Sequence, residues 1–342
     1  MKQIKWGIIG LGKIASKFAE GFKYTNNAKL FAISSRNKNK LHAFKNRFQV
    51  NDDYCFTNYD SLLECEDLDI VYIALPHSLH HEWIIKSIEK GKNILVEKPA
   101  TVNFSQIKNI KNNLEGKNIL FAEAFMYRYH PQISKVVDLL KNDAIGNLVS
   151  MESFFGFDAL GEKKIFGIKF KKKPNKNSRL YNKELGGGTI LDLGCYPVSM
   201  STLIASIIPG FDFNKIKVVN KKKDIGLTGV DMNSFAELDF GNNFKSTIST
   251  SFTRDLGKKT KIIGTKGELV LEDSWSPTNL SSIQINGENK EIIKIGCHDN
   301  IYTYEIDILS RCILENKKEP NFPGMTINET LENMRILDKW LN

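Results

Sequence analysis

The chain begins with an apolar run, Ile4-Lys5-Trp6-Gly7-Ile8-Ile9, that passes directly into Gly10-Leu11-Gly12-Lys13-Ile14-Ala15. A strand that turns through G-x-G-x-x-A into a helix leaves few folds open, because each small residue has a physical task. Gly10 lets the chain turn sharply out of the strand. Gly12 has no Cβ, so the backbone can approach a pyrophosphate. Ala15 lets the helix pack closely on the strand. The N–H groups at the helix start, around Lys13 and Ile14, then face phosphate charge. Gly-rich turns are common and the motif alone is a weak sign. Its place between a strand and a helix makes it point to a bound dinucleotide.

Residues 1–122 alternate the two periodicities throughout. Strand-like runs fall at 4–9, 30–34, 70–74, 94–96 and 118–122, with helical segments at 14–24, 38–48, 79–90 and 104–114. This alternation specifies a parallel, doubly wound α/β Rossmann sheet. Its ligand should lie outside the carboxyl ends of the strands. Beyond residue 123 the pattern changes. Helices are expected over 133–141, 198–207, 300–315 and 327–340. A strand is expected over 148–157, and a series of strands between 215 and 295 reads as a large, mostly antiparallel sheet. Residues 161–181 read as a long, basic, irregular loop, a kind of segment that is usually functional or mobile. The expected organisation is therefore a dinucleotide-binding domain over 1–122 and an α+β substrate-binding and dimerisation domain over 123–342.

Composition removes several classes of function. The chain has 342 residues, enough for about two domains. Its hydrophobic fraction is 41% and its charged fraction 25%, values of a globular protein. No apolar run approaches the ~20 residues of a membrane span, and the N-terminal residues carry no secretory pattern. The five cysteines, Cys55, Cys65, Cys195, Cys297 and Cys312, form no C-x-x-C pair. Reduced thiols and a cytoplasmic location are the expectation. The net charge of +9 comes largely from segments such as Lys171-Lys172-Lys173 and Lys221-Lys222-Lys223. Aromatic residues do not interleave these runs and no nucleic-acid-binding motif accompanies them, so a solvated surface and a field attractive to an anionic ligand are the simpler reading.

The second strand ends Ser34-Ser35-Arg36, where an NAD site normally carries Asp or Glu for the ribose 2′-OH. A hydroxyl and a planar fork of donors suit a 2′-phosphate instead. NADP is the expected cofactor, with NAD possible; the alternative is that Arg36 merely starts a solvated helix and stacks on adenine in either case. The fifth strand ends Glu97-Lys98-Pro99, which puts a lysine at the nicotinamide end of the crevice, with Pro99 restricting the backbone before it.

Two later segments complete the pattern: Glu123-Ala124-Phe125-Met126-Tyr127-Arg128 and Asp192-Leu193-Gly194-Cys195-Tyr196, with Gly264-Thr265-Lys266-Gly267-Glu268 further on. With these motifs in this order, nearly the whole chain resembles the glucose–fructose oxidoreductase / inositol dehydrogenase family, Gfo/Idh/MocA. Within it, the chain is most similar to the xylose dehydrogenase and dimeric dihydrodiol dehydrogenase branch. The resemblance implies an NAD(P)-dependent oxidoreductase acting on CH–OH groups of a sugar, a cyclic polyol or a dihydrodiol. It implies that Lys98 contacts substrate and nicotinamide ribose with Glu97 beside it, that Tyr196 transfers the proton, and that Asp192 helps hold substrate hydroxyls. Leu75, Pro76, His77 and His80 correspond to the family's cofactor loop, in which His77 replaces the usual Asn. The family also tends to dimerise through the open faces of its C-terminal sheets.

Elementary chemistry supports the same residues. Oxidising a secondary alcohol needs a base for the hydroxyl proton and an acceptor for hydride. A free tyrosine, with a pKa near ~10, is a poor base, and a neighbouring ammonium corrects this. Lys98 beside Tyr196 would supply it, and in reverse would stabilise the nascent alkoxide. Asp192 precedes Tyr196 by four residues, a spacing that shares a helix face. Arg128 and Arg179 are each readable as a substrate anchor or as an ion pair at the domain boundary. His77, His80, His81 and Glu82 have metal-like spacing but fall in the cofactor loop, and no metal is expected. Cys195 lacks a recognisable base partner, and Trp83 and Trp340 read as core. A non-catalytic nucleotide sensor on the same fold is the competing reading, and tightly held cofactor recycling between two sugars is a third.

Overall fold

A computed structural model describes residues 2–165, 168–288 and 290–342. In chain order, the first elements are β1 (Ile4–Ile9), α1 (Lys13–Glu20), β2 (Ala28–Ser34), α2 (Lys38–Phe48), β3 (Cys55–Phe56), α3 (Tyr59–Leu63), β4 (Ile70–Ile73), α4 (His77–Glu89), β5 (Asn93–Glu97), α5 (Phe104–Leu114) and β6 (Phe121–Ala124). There follow α6 (Pro131–Lys141), β7 (Leu148–Gly156), β8 (Glu162–Ile165), β9 (Ile168–Lys171), α7 (Cys195–Ala205), β10 (Lys217–Ile225), β11 (Asp231–Asp239) and β12 (Lys245–Ser251). The chain finishes with β13 (Thr260–Gly264), β14 (Glu268–Leu271), β15 (Ser282–Asn286), β16 (Lys290–Lys294), α8 (Tyr302–Leu314) and α9 (Ile327–Leu341).

The chain forms two compact units, one of Met1–His130 with Cys297–Leu331 and the other of Pro131–Gly296 with Glu332–Asn342. The expected division after residue 122 is thus replaced by one after His130, and a C-terminal segment containing α8 joins the N-terminal unit.

In the first unit β1 to β6 form a parallel sheet of order β3-β2-β1-β4-β5-β6. Helices cover such a sheet on both faces, so its strands are apolar on both sides; β4, Ile70-Val71-Tyr72-Ile73, is buried at every position. The order reverses between β1 and β4, and the crevice beyond that point is where such sheets bind ligands. From the C-terminal segment, α8 adds Ile306, Leu309 and Cys312 to this core. Its Ser310 hydroxyl accepts from the Trp6 indole N–H at 2.9 Å.

The second unit is built on an eight-stranded sheet of order β10-β11-β12-β7-β13-β14-β15-β16. All its pairings are antiparallel except β12 with β7, which run parallel. Here burial alternates: Met232, Ser234, Ala236 and Leu238 of β11 are buried, while the residues between them are half-exposed. That pattern belongs to a sheet packed on one face.

Within the span read as an irregular loop, β8 and β9 pair antiparallel, and Arg179–Tyr181 form a 3₁₀ turn. The run of lysines hid the strand signal there. Phe166 and Gly167, also in that span, lie outside the described residues. Among the described residues, no helix is long and apolar enough to cross a membrane.

Candidate active site

The first unit brings the expected cofactor residues to the carboxyl ends of its strands. Gly10 follows β1 with φ +91°, and a Cβ there would lie 2.6 Å from the Ala74 carbonyl oxygen, so only glycine fits the turn. At Gly12 a Cβ would meet nothing within 4 Å. The protein itself does not require that glycine, and the space beside it is what a close-lying phosphate needs. Gly12 is also the N-cap of α1 and offers no side-chain cap, which leaves the N–H groups of the first turn, at Lys13 and Ile14, for an anion.

Beyond β2, Ser35 is buried and its hydroxyl accepts from the Asn37 N–H at 3.2 Å. The Arg36 guanidinium lies 4.9 Å over the Tyr59 ring, and Tyr59 in turn stands edge-on against Trp83 at 5.0 Å. The buried aromatic pair orients a planar fork of donors. An open glycine, an uncapped helix and this oriented arginine together fit a dinucleotide.

Past β4, Leu75 and Pro76 lead into α4. His77 opens that helix and its ring lies 5.7 Å from that of His80. His80 is fully buried, with Nδ1 2.9 Å from the Pro99 carbonyl oxygen and Nε2 2.8 Å from that of Leu75. The ring thereby ties the loop after β4 to the loop after β5.

That second loop contains the Lys98–Pro99 bond, which is cis. Lys98 is half-buried. Glu97, at the end of β5, accepts from the buried Tyr72 hydroxyl. Burial first, and the Glu97 charge second, hold the Tyr72 hydroxyl well above its usual pKa. Arg128 is fully buried and committed within this unit, pairing with Glu329 at 2.9 Å and donating to the Pro323 carbonyl at 3.2 Å. Of the two readings, the ion pair is present in the structure, within this unit.

In the second unit Asp192 and Tyr196 lie where one helix type becomes another. Ile190–Gly194 form a π-turn that runs straight into α7, with Asp192 in the wide turn and Tyr196 in the first turn of α7. The α-helical i, i+4 geometry expected for this pair is therefore widened by the π-turn. Asp192 is buried and accepts from the half-exposed Arg179 at 2.8 Å. Tyr196 packs edge-on to Phe155 at 5.3 Å and tilted against Trp275 at 5.5 Å. The Cys195 thiol faces the Asp192 carbonyl at 3.7 Å.

Four residues that shape these sites were given no role in the sequence analysis: Asp231, Gly188, Tyr59 and Glu123. Asp231 accepts from the Thr189 hydroxyl at 2.6 Å, the Ile190 N–H at 2.8 Å and the Ser234 hydroxyl at 3.0 Å, and so anchors the start of the π-turn. Gly188, at φ +111°, passes so close that a Cβ would lie 2.2 Å from Asp231 Oδ1. No local signal marks this pairing. Tyr59 begins a helix too short to show a period. Glu123 did leave a signal, an acid inside the apolar run Ile119-Leu120-Phe121-Ala122-Glu123-Ala124-Phe125. Among the described residues, no group of three or more His, Cys, Asp or Glu could hold a metal ion.

Comparison with known proteins meets this geometry at both units. Residues 4–125 match the model of an oxidoreductase family with an NAD-binding Rossmann fold, and residues 133–270 match the GFO/IDH/MocA C-terminal domain. The chain belongs to the GFO/IDH/MocA oxidoreductase family. It is accordingly an NAD(P)-dependent oxidoreductase, as the motifs implied. Relatives in the family include a trans-1,2-dihydrobenzene-1,2-diol dehydrogenase of Xenopus tropicalis, 28% identical over 98% of this chain and 97% of its own. A D-xylose 1-dehydrogenase (NADP(+)) of Haloferax volcanii is 23% identical over 97% of this chain and 95% of its own. The fold matches that of a 3-ketoreductase from Actinomadura kijaniata, solved with NADP and TDP-benzene, at a TM-score of 0.83 and 23% identity over 98% of this chain and 96% of that one.

Proposed function

We propose that the protein is an NADP-dependent oxidoreductase that interconverts a secondary alcohol and a carbonyl on a sugar, a related cyclic polyol or a dihydrodiol. The observation that carries the cofactor choice is the end of β2, where Ser35 and the Tyr59-backed Arg36 stand in place of an acid. The relatives that act on a dihydrodiol and on xylose support the substrate class. Bound nicotinamide dinucleotide supplies or accepts the hydride.

The chain's own groups then manage protons and charge. Gly10, Gly12, Lys13 and Ile14 seat the pyrophosphate at the start of α1. Leu75, Pro76, His77, His80 and Glu97 line the cofactor loops. In alcohol oxidation the Tyr196 hydroxyl, as tyrosinate, removes the substrate hydroxyl proton; in carbonyl reduction it returns that proton to the alkoxide. The Lys98 ammonium favours the tyrosinate in one direction and stabilises the alkoxide in the other. Asp192, paired with Arg179, accepts from further hydroxyls and orients the substrate. This reading requires Lys98 and Tyr196 to act on one substrate atom. It also takes the enzyme to be cytoplasmic, in keeping with five free cysteines, and a homodimer through the sheet face turned away from Ile248, Ile262 and Leu269.

A panel of pentoses, hexoses, inositols, sugar acids and trans-dihydrodiols, each followed by nicotinamide absorbance with NADP and with NAD, tests the proposal. NADP-linked turnover with at least one class, and tighter NADPH than NADH binding, is expected. Tight cofactor binding with no turnover across the panel would identify a sensor instead, and tighter NADH binding would overturn the cofactor assignment.

A further inference from the structure

The first unit buries a carboxylate beside the loop that carries Lys98. Glu123 lies on β6, only 3% exposed, and β6 pairs with β5 so that Glu123 is level with Val96. Its Oε1 accepts from the Ala100 N–H at 2.8 Å. Ala100 is two residues past Lys98, and the intervening Pro99 carbonyl is the one that His80 holds. The short loop Lys98-Pro99-Ala100 is thus fixed by a carboxylate on one side and an imidazole on the other.

The charges facing Glu123 come from the Lys98 loop and from the turn after β6, which carries Arg128. Arg128 is already neutralised by Glu329 at 2.9 Å. Burial is the dominant influence and raises the Glu123 carboxyl to about 7; the Ala100 N–H, the Thr330 hydroxyl of α9 and then the charges of Arg128 and Lys98 pull the other way. A buried acid of this kind is costly to keep, and glutamine would make the same hydrogen bond to Ala100 without the charge. Glu305, also in this unit, shows the contrast. It is fully buried, neither of its oxygens has a hydrogen-bond partner among the described residues, and burial holds it well above the usual carboxylate range.

We propose that Glu123 is a positioning residue for Lys98: its ionised form holds the Ala100 amide and sets a negative charge beside the Lys98 ammonium, so that turnover falls when Glu123 is protonated. The inference rests on the proposed role of Lys98. Glu123→Gln keeps the size and the acceptor but cannot ionise. In that variant NADPH binding is expected to stay within about twofold of wild type and kcat to fall about tenfold, with KM little changed. Wild-type kcat is expected to show an acidic limb near neutrality that the variant lacks, and the variant's thermal midpoint above neutral pH should be equal to or higher than that of wild type. A wild-type kcat and pH profile in Glu123→Gln would overturn the proposal. So would a lower kcat accompanied by a lower thermal midpoint and an unchanged acidic limb, the signature of a packing role alone. Lys98→Met separates the two claims. If it abolishes turnover while Glu123→Gln behaves as wild type, only the positioning role fails; if it turns over normally, the assignment of Lys98 fails and the role of Glu123 with it.

Discussion

The two units place their candidate site residues by opposite means. In the first, the groups sit where parallel strands end: Gly10 after β1, Arg36 after β2, His77 after β4 and Lys98 after β5. The topology of the sheet sets their place, and interior polar contacts such as His80 to Pro99 and Glu123 to Ala100 refine it. In the second, Asp192 and Tyr196 owe their place to a local irregularity, the π-turn at Ile190–Gly194, held by Asp231 and walled by Phe155 and Trp275. One unit positions by architecture that a few interior polar contacts refine. The other positions by a local irregularity held by a few specific contacts.

The largest test of this contrast lies at the groups proposed to react. Tyr196→Phe keeps the ring packed between Phe155 and Trp275 and removes only the hydroxyl, so kcat should fall about a thousandfold with NADPH affinity nearly unchanged. Turnover within a few-fold of wild type would remove Tyr196 from the chemistry.

Next in size is the pH dependence of stability. Folding raises the Glu123 carboxyl from its ordinary 4.5 to about 7, so the folded chain holds a proton that the unfolded chain releases between those values. Stability from this group therefore falls as pH rises through that window and is level above it, by about 3 kcal/mol in all. Urea midpoints of wild type and Glu123→Gln should diverge across that range in favour of the variant; parallel profiles would contradict the burial of a titrating acid.

At the π-turn, three donors converge on Asp231 Oδ2, and Asp231→Asn leaves them an uncharged amide oxygen in place of a carboxylate. A loss of about 2 kcal/mol of stability is expected, with a kcat deficit of about tenfold. A deficit confined to stability would show that the turn tolerates slack. The smallest effect belongs to the architectural side: Tyr59→Leu removes the face under Arg36 and should weaken NADPH about threefold to fivefold relative to NADH. An unchanged ratio of dissociation constants would show that Arg36 needs no support.

The same contrast governs what the sequence discloses. The parallel sheet is legible because strands buried on both faces read as unbroken apolar runs, as in Ile70-Val71-Tyr72-Ile73, and α2 and α5 are readable to their ends because Asn37 and Asn103 cap them. Strand β3, two residues long, carries no such run. Positions at strand ends follow from topology, so the places of Lys98 and Arg36 after β5 and β2 are readable from strand order. Contacts between distant residues are not: Thr189 and Asp231 are 42 positions apart, and Arg128 and Glu329 are 201 apart. The π-turn is invisible for a further reason, since Ile190-Leu191-Asp192-Leu193-Gly194 is compatible with an ordinary helix until Asp231 fixes its first N–H.

A double-mutant cycle on kcat/KM, combining Lys98→Met with Tyr196→Phe, tests most directly whether the two units serve one reaction. If the lysine acts through the tyrosine on one substrate oxygen, the double variant loses about as much as the worse single variant. If the two losses multiply, Lys98 and Tyr196 act independently and the account of their joint chemistry is wrong.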